Sequence, residues 1–166
     1  MSLLRNLYVI NISRFSIALV LLYAGGVKML DFEKSIMAVG SYQIVNPDLA
    51  RVFGTFLPVI EVMLGTAILF KVLHPVANYI AALLMLVFIL IIISVWARGL
   101  SIDCGCFGGG GELPEDGKVL RYSIDIARDF LFMAMALVSS LVVKNKVTKN
   151  ANESNMEELN DLPKDN

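Results

Sequence analysis

Residues 81–96 read AALLMLVFILIIISVW, the core of an apolar run from Val76 to Trp96 that no charged side chain interrupts. A helix rises about 1.5 Å per residue and the hydrocarbon core of a bilayer is about 30 Å thick, so about 20 such residues cross it once. The run therefore predicts a membrane span. Composition agrees: 57% of the residues are hydrophobic, 17% are charged, and the mean hydropathy is +0.70. Soluble domains average about 45–50% apolar and about 25% charged. A larger core does not explain the excess, because a chain of 166 residues must leave much of its surface wet. An apolar solvent does.

Three further runs have spanning length. The first extends from about Leu7 to Val27 and is interrupted by Asn11 and Arg14; the second extends from about Val52 to Phe70 and contains Glu61. The last extends from Tyr122 to Val143, and its purely apolar part, Phe130 to Val143, is too short alone. Asp125, Arg128 and Asp129 must then lie at or inside the outer margin. The expected fold is an all-α membrane protein, a four-transmembrane-helix bundle over residues 1–143 with spans at about 7–27, 52–70, 76–96 and 122–143. The first run also has the parts of a signal peptide: Arg5 and Arg14, the apolar FSIALVLLYA, and a small-residue pair at Ala24-Gly25. Leu7–Ile12 and the nearby Lys28 favour a span instead.

Spans two and three are joined by the short Lys71–Pro75 segment, which suits a helical hairpin. Lys28, Asp31 and Glu33 read as a solvated helix end, and Gly25, Gly26, Gly54 and Gly65 as sites of close helix packing. Residues 144–166 are rich in Asn, Lys and Glu and predict a disordered cytoplasmic tail. Basic residues divide almost evenly between the two sides, but Lys144, Lys146 and Lys149 favour a cytoplasmic C-terminus. An even number of spans then puts the N-terminus inside as well, and the 97–121 loop outside. A net charge of −1 gives no reason to expect nucleic acid as a partner; the lipid bilayer is the expected surrounding.

That loop holds both cysteines, in Asp103-Cys104-Gly105-Cys106-Phe107-Gly108. Cysteines two apart in an extended strand sit near the upper limit of disulfide Cα spacing, about 4.4–6.8 Å, and a turn at Gly105 shortens the gap. A ring so small is strained, and strained exposed disulfides are the more oxidising ones. The pair suits thiol–disulfide exchange, with Cys104 and Cys106 as the reacting residues. Arg98 or Arg121 would favour a thiolate there, and Asp103 would oppose it. A static loop disulfide, two buried free thiols, and a copper or zinc clip remain open. A self-contained structural zinc site usually needs four ligands, so no metal is expected. Trp96 favours the membrane–water interface, which puts the thiols near headgroup level and within reach of a lipid-soluble quinone.

Glu61 sits near the middle of the second span. A charged, unpaired carboxylate there costs about 2.5–3.5 kcal/mol, so it must be protonated, paired or facing a polar cavity. Arg128 is the expected partner, since both helices start from the same side. A proton relay and a structural clamp between helices are both consistent with such a residue.

These residues resemble the methylamine-utilisation MauE family, within the wider DoxX-like membrane proteins. The resemblance rests on Ala24–Lys28, on Leu57-Pro58 with Glu61 and Gly65, on Arg98-Gly99 with the Cys104-Gly105-Cys106-Phe107-Gly108 motif, and on Tyr122 through Asp129. It implies disulfide chemistry outside the cytoplasm, in a multi-pass protein of a bacterial plasma membrane. It also implies a thioredoxin-fold partner of the DsbA or MauD type, a quinone as electron acceptor, and maturation of secreted proteins such as the methylamine dehydrogenase small subunit. The role is that of a thiol–disulfide oxidoreductase, or alternatively of a non-enzymatic assembly scaffold. Quinone-linked oxidases of the DsbB and VKOR types carry two cysteine pairs. This chain has one, so it has no internal relay between pairs.

Overall fold

A computed structural model of the chain describes residues 2–70, 76–103 and 117–160, with side chains described in those segments between residues 11 and 142. Its helices are α1 (Ser2–Leu30), α2 (Phe32–Ser41), α3 (Pro47–Leu69), α4 (Val76–Ala97) and α5 (Lys118–Asn160). Among the described residues three stretches are long and apolar enough to cross a membrane: Asn11–Leu30 in α1, Pro47–Leu69 and Val76–Ala97. They overlap the first three expected spans, the first running on to Leu30 and the second beginning earlier, at Pro47. The charged residues at 125, 128 and 129 dilute the apolar character of α5, which nevertheless packs along α4 and α1. Beyond Val143, α5 stays helical to Asn160, where composition predicts disorder. Its Lys, Glu, Met and Ala residues have high helix propensity, and a helix already nucleated by packing propagates without a new nucleus.

The helix ends carry local signals. Asp31 caps α2 by accepting from the Lys34 amide at 3.1 Å. Asn46 caps α3 by accepting from the Leu49 amide at 2.9 Å, with Pro47 just inside the helix. After α4, Gly99 adopts φ +71°, its amide donates to the Trp96 carbonyl at 3.0 Å, and the Leu100 amide donates to the Val95 carbonyl at 3.2 Å. This double closure leaves a left-handed position that glycine fills without strain.

Helices α1 and α3 run antiparallel at very short range. A Cβ on Gly25 would meet the Pro58 carbonyl oxygen at 2.8 Å, and one on Gly65 would meet the Ala18 carbonyl oxygen at 3.0 Å. A Cβ on Gly54 would lie 2.5 Å from the Ile36 Cα, which seats α2 on α3. Gly26, expected to share this role, faces open space. Pro58 lies inside an uninterrupted α3. Helices α4 and α5 are also antiparallel: Asn78 Nδ2 donates to Ser139 Oγ at 3.2 Å near one end, and the Trp96 and Tyr122 rings meet at 6.3 Å near the other.

Ile17, Leu21, Ile68, Ala81, Met85 and Val95 form the centre of the buried core. Large side chains such as Leu19, Met63, Leu83 and Phe130 point outward and are exposed. A belt of this kind is costly in water and suited to lipid. Arg14, which interrupts the first apolar run, is buried, with its guanidinium carbon 5.4 Å from the centre of the Phe15 ring.

Candidate functional site

On α1 the buried positions Ala18, Leu21, Gly25 and Lys28 follow helical spacing and form one face. Gly25 brings that face against α3 at Pro58 and Glu61, and Lys28, one turn further on, reaches the carboxylate. Lys28 Nζ donates to Glu61 Oε1 at 2.7 Å, with the two side chains 4% and 1% exposed. The ammonium also lies 5.3 Å from the centre of the Phe88 ring on α4 and interacts electrostatically with Asp129 on α5. Lys28 thus touches or faces each of the other three long helices.

The partner expected for Glu61 is therefore corrected. Arg128 does not pair with it: NH1 of Arg128 meets Asp125 Oδ1 at 2.9 Å, and its Nε donates to Asp129 Oδ1 at 3.1 Å. Acids three residues before and one residue after Arg128 capture it on its own helix, so it need not cross the bundle. Lys28, expected at a solvated end, is buried because small residues let its helix approach. The spacing of Ala18, Leu21 and Gly25 was the available signal. Asp31 and Lys34 do form a solvated pair at 3.0 Å, and the hydrogen bond from Lys34 holds the Asp31 carboxyl below its ordinary range.

A second arrangement braces the chain where it enters the cysteine loop. The buried Tyr122 hydroxyl lies 2.9 Å from both the Leu100 and Ile102 carbonyl oxygens and accepts from the Ile102 amide at 3.1 Å. Lys118 Nζ reaches Ser101 Oγ at 3.3 Å, and Arg121 lies 3.7 Å from Asp103. That last pair is long and well exposed, so it contributes little. Arg98 acts as a clamp. It donates to the Tyr42 and Gln43 carbonyls at 2.5 and 3.4 Å and to Ser94 of its own helix at 3.1 Å. A cation over these helix C-termini is electrostatically favourable, and it ties α2 to α4. Gln43 holds a positive φ of 52° at this junction. Sequence reasoning named Tyr122 and Lys28 but gave neither its contacts, the Tyr122 hydroxyl on residues 100–102 and Lys28 on Glu61. Cys104, Gly105, Cys106 and Phe107 lie outside the described residues.

Between α3, α4 and the segment after α2 lies a cavity of about 220 Å³. Phe53, Leu57, Leu84, Phe88 and Ile91 line it, and Tyr42 is its one residue with a polar side chain. Such a lining fits a stretch of isoprenoid or acyl chain. Among the described residues no three His, Cys, Asp or Glu side chains converge to hold a metal ion.

No curated protein and no solved structure matches the chain. The family model described as methylamine utilisation protein MauE matches residues 6–142, which takes in the apolar helices, the Lys28–Glu61 pair, the cysteine loop and its Tyr122 brace. Three spanning-length apolar helices and a match over most of its length make this chain a membrane protein of the MauE family.

Proposed function

We propose that this protein is a thiol–disulfide redox protein of the bacterial plasma membrane, with Cys104 and Cys106 as its reacting pair. The apolar part of α5 forms a fourth span, both termini are cytoplasmic, and the cysteine loop faces the extracytoplasmic side. The observation that carries this reading is the brace around residues 100–103. One buried tyrosine hydroxyl accepts from the Ile102 amide and shares its proton between the Leu100 and Ile102 carbonyls, which fixes the backbone up to two residues before Cys104. A reacting pair needs a fixed base so that a partner meets the same geometry at each encounter.

A partner of the thioredoxin fold, such as a MauD-like protein, approaches with a reduced dithiol. One partner thiolate attacks the Cys104–Cys106 disulfide, forming a mixed disulfide and freeing one thiolate of this chain. The partner's second thiolate then attacks the mixed disulfide. The partner leaves oxidised, and Cys104 and Cys106 hold the two electrons as thiols. A membrane quinone, with its chain along the apolar cavity beside Phe88, would supply the two-electron, two-proton oxidation that restores the disulfide. The oxidised partner supports disulfide formation in secreted proteins, the small subunit of methylamine dehydrogenase among them.

The test is a trapping experiment. With Cys104→Ser or Cys106→Ser and a partner whose second cysteine is serine, neither chain can resolve a mixed disulfide once a thiol oxidant has formed it, so it accumulates and disappears on reduction. If neither variant captures a partner, and the double variant still supports maturation of the secreted subunit, the loop is structural and the protein is a scaffold.

A further inference from the structure

The charged groups around Lys28 do not balance. From α1 comes Lys28, from α3 Glu61, and from α5 Asp125, Arg128 and Asp129. Helix α4 presents the Phe88 ring and has no charged residue between Val76 and Ala97. At the start of α2, Asp31 and Lys34 neutralise each other. Among the described residues, two cations therefore face three carboxyl groups. Glu61 and Asp129 are 1% and 3% exposed, and Glu61 Oε2 and Asp129 Oδ2 are buried without a hydrogen-bond partner among the described residues.

A buried carboxylate oxygen that accepts nothing forgoes most of its solvation, and an uncompensated charge beside it adds to the cost. One proton relieves both. It reduces the cluster to two cations and two carboxylates, and it turns a bare acceptor into a donor. A metal ion is a poor substitute, because the described residues bring no three ligands together. A pocket of about 210 Å³ lined by Lys28, Asp31, Lys34 and Ser35 lies beside the cluster and gives water an approach to Lys28.

We propose that the Lys28–Glu61–Asp129 cluster is a proton-binding site, holding one exchangeable proton on a carboxyl oxygen and exchanging it through the pocket beside Lys28. The assignment is independent of the redox reading of the cysteines.

Infrared spectroscopy of the full-length protein at pH 7, in a maltoside detergent that carries no ester carbonyl, tests it. Solvent-exposed Asp and Glu have pKa values of about 4 and are ionised there, so the carbonyl stretch of a carboxylic acid reports the buried site. The wild-type protein is expected to show that band, with a downshift in D₂O. Asp125→Asn, Glu61→Gln and Asp129→Asn each leave two cations against two carboxylates, so each is expected to abolish it. Asp125 is the least buried of the three, which keeps a well-folded variant in the set. Absence of the band from the wild-type protein overturns the proposal, a result that needs no variant. So does a band that persists in all three variants. A band removed when sodium chloride replaces choline chloride at constant pH would assign the site to a metal cation and overturn it equally.

Discussion

Replacing Lys28 by methionine is expected to destabilise the folded bundle by about 3–5 kcal/mol, the usual cost of stranding one member of a buried ion pair. Glu61 is almost fully buried, and among the described residues Lys28 supplies its one hydrogen bond, at 2.7 Å. Methionine has a similar length and keeps the packing against Phe88, so the loss is electrostatic rather than a cavity. The comparison that isolates the pair is the double variant Lys28→Met with Glu61→Leu. It removes both charges, and replacing a buried pair by apolar groups is often neutral or better. Denaturant unfolding in mild detergent, followed by helical circular dichroism, gives the four corners of the cycle. Recovery of most of the lost stability in the double variant is expected. A single variant within about 0.5 kcal/mol of the wild type, a change typical of surface positions, would show that Lys28 is not a buried partner.

The second large effect is expected at the loop brace. Tyr122→Phe removes one oxygen atom and leaves the Ile102 amide and the Leu100 and Ile102 carbonyls without it. Stranding partly buried backbone groups costs about 1–3 kcal/mol. The ring still packs against Trp96, so α4 and α5 stay together and the loss is confined to residues 100–103. Amide hydrogen exchange reads this directly: protection at Ile102 falls by about tenfold for each 1.4 kcal/mol lost, while amides in the middle of α4 keep theirs. Unchanged protection at Ile102 would mean that the hydroxyl does not hold the segment. If the brace serves the cysteines, the same variant also slows disulfide exchange with the partner.

The long elements were legible because the bilayer demands them. An apolar run of spanning length has few alternatives, and the runs at Asn11–Leu30, Pro47–Leu69 and Val76–Ala97 lie where hydropathy puts them. Gly25, Gly54 and Gly65 were legible as contact positions for a related reason: without a hydrophobic force between helices in lipid, close approach depends on small residues. Pairing inside the bundle was less accessible. Glu61 announced that it needed a partner, but hydropathy counts Lys28 as a boundary residue. Only the face shared with Ala18, Leu21 and Gly25 reveals that it turns inward. Arg128 looked available because its competition with Asp125 and Asp129 is local, one turn of α5, and an argument from depth alone overlooks it. Tyr122 gave no sign in its own neighbourhood, since its partners lie about 20 residues earlier, on the other side of the loop. Polar clamps across a bundle depend on rotation about helix axes, and a sequence pattern determines that only to within a turn.

The reading of this protein as an electron carrier depends on where its two sulfurs are and whether they cycle. Intact cells treated with a membrane-impermeant maleimide, before and after a reductant, report both at once. The account predicts that Cys104 and Cys106 resist labelling in resting cells, become labelled from outside once reduced, and revert to the resistant form when the reductant is removed. Labelling only after the cells are lysed, or thiols that stay in one redox state throughout, would contradict it.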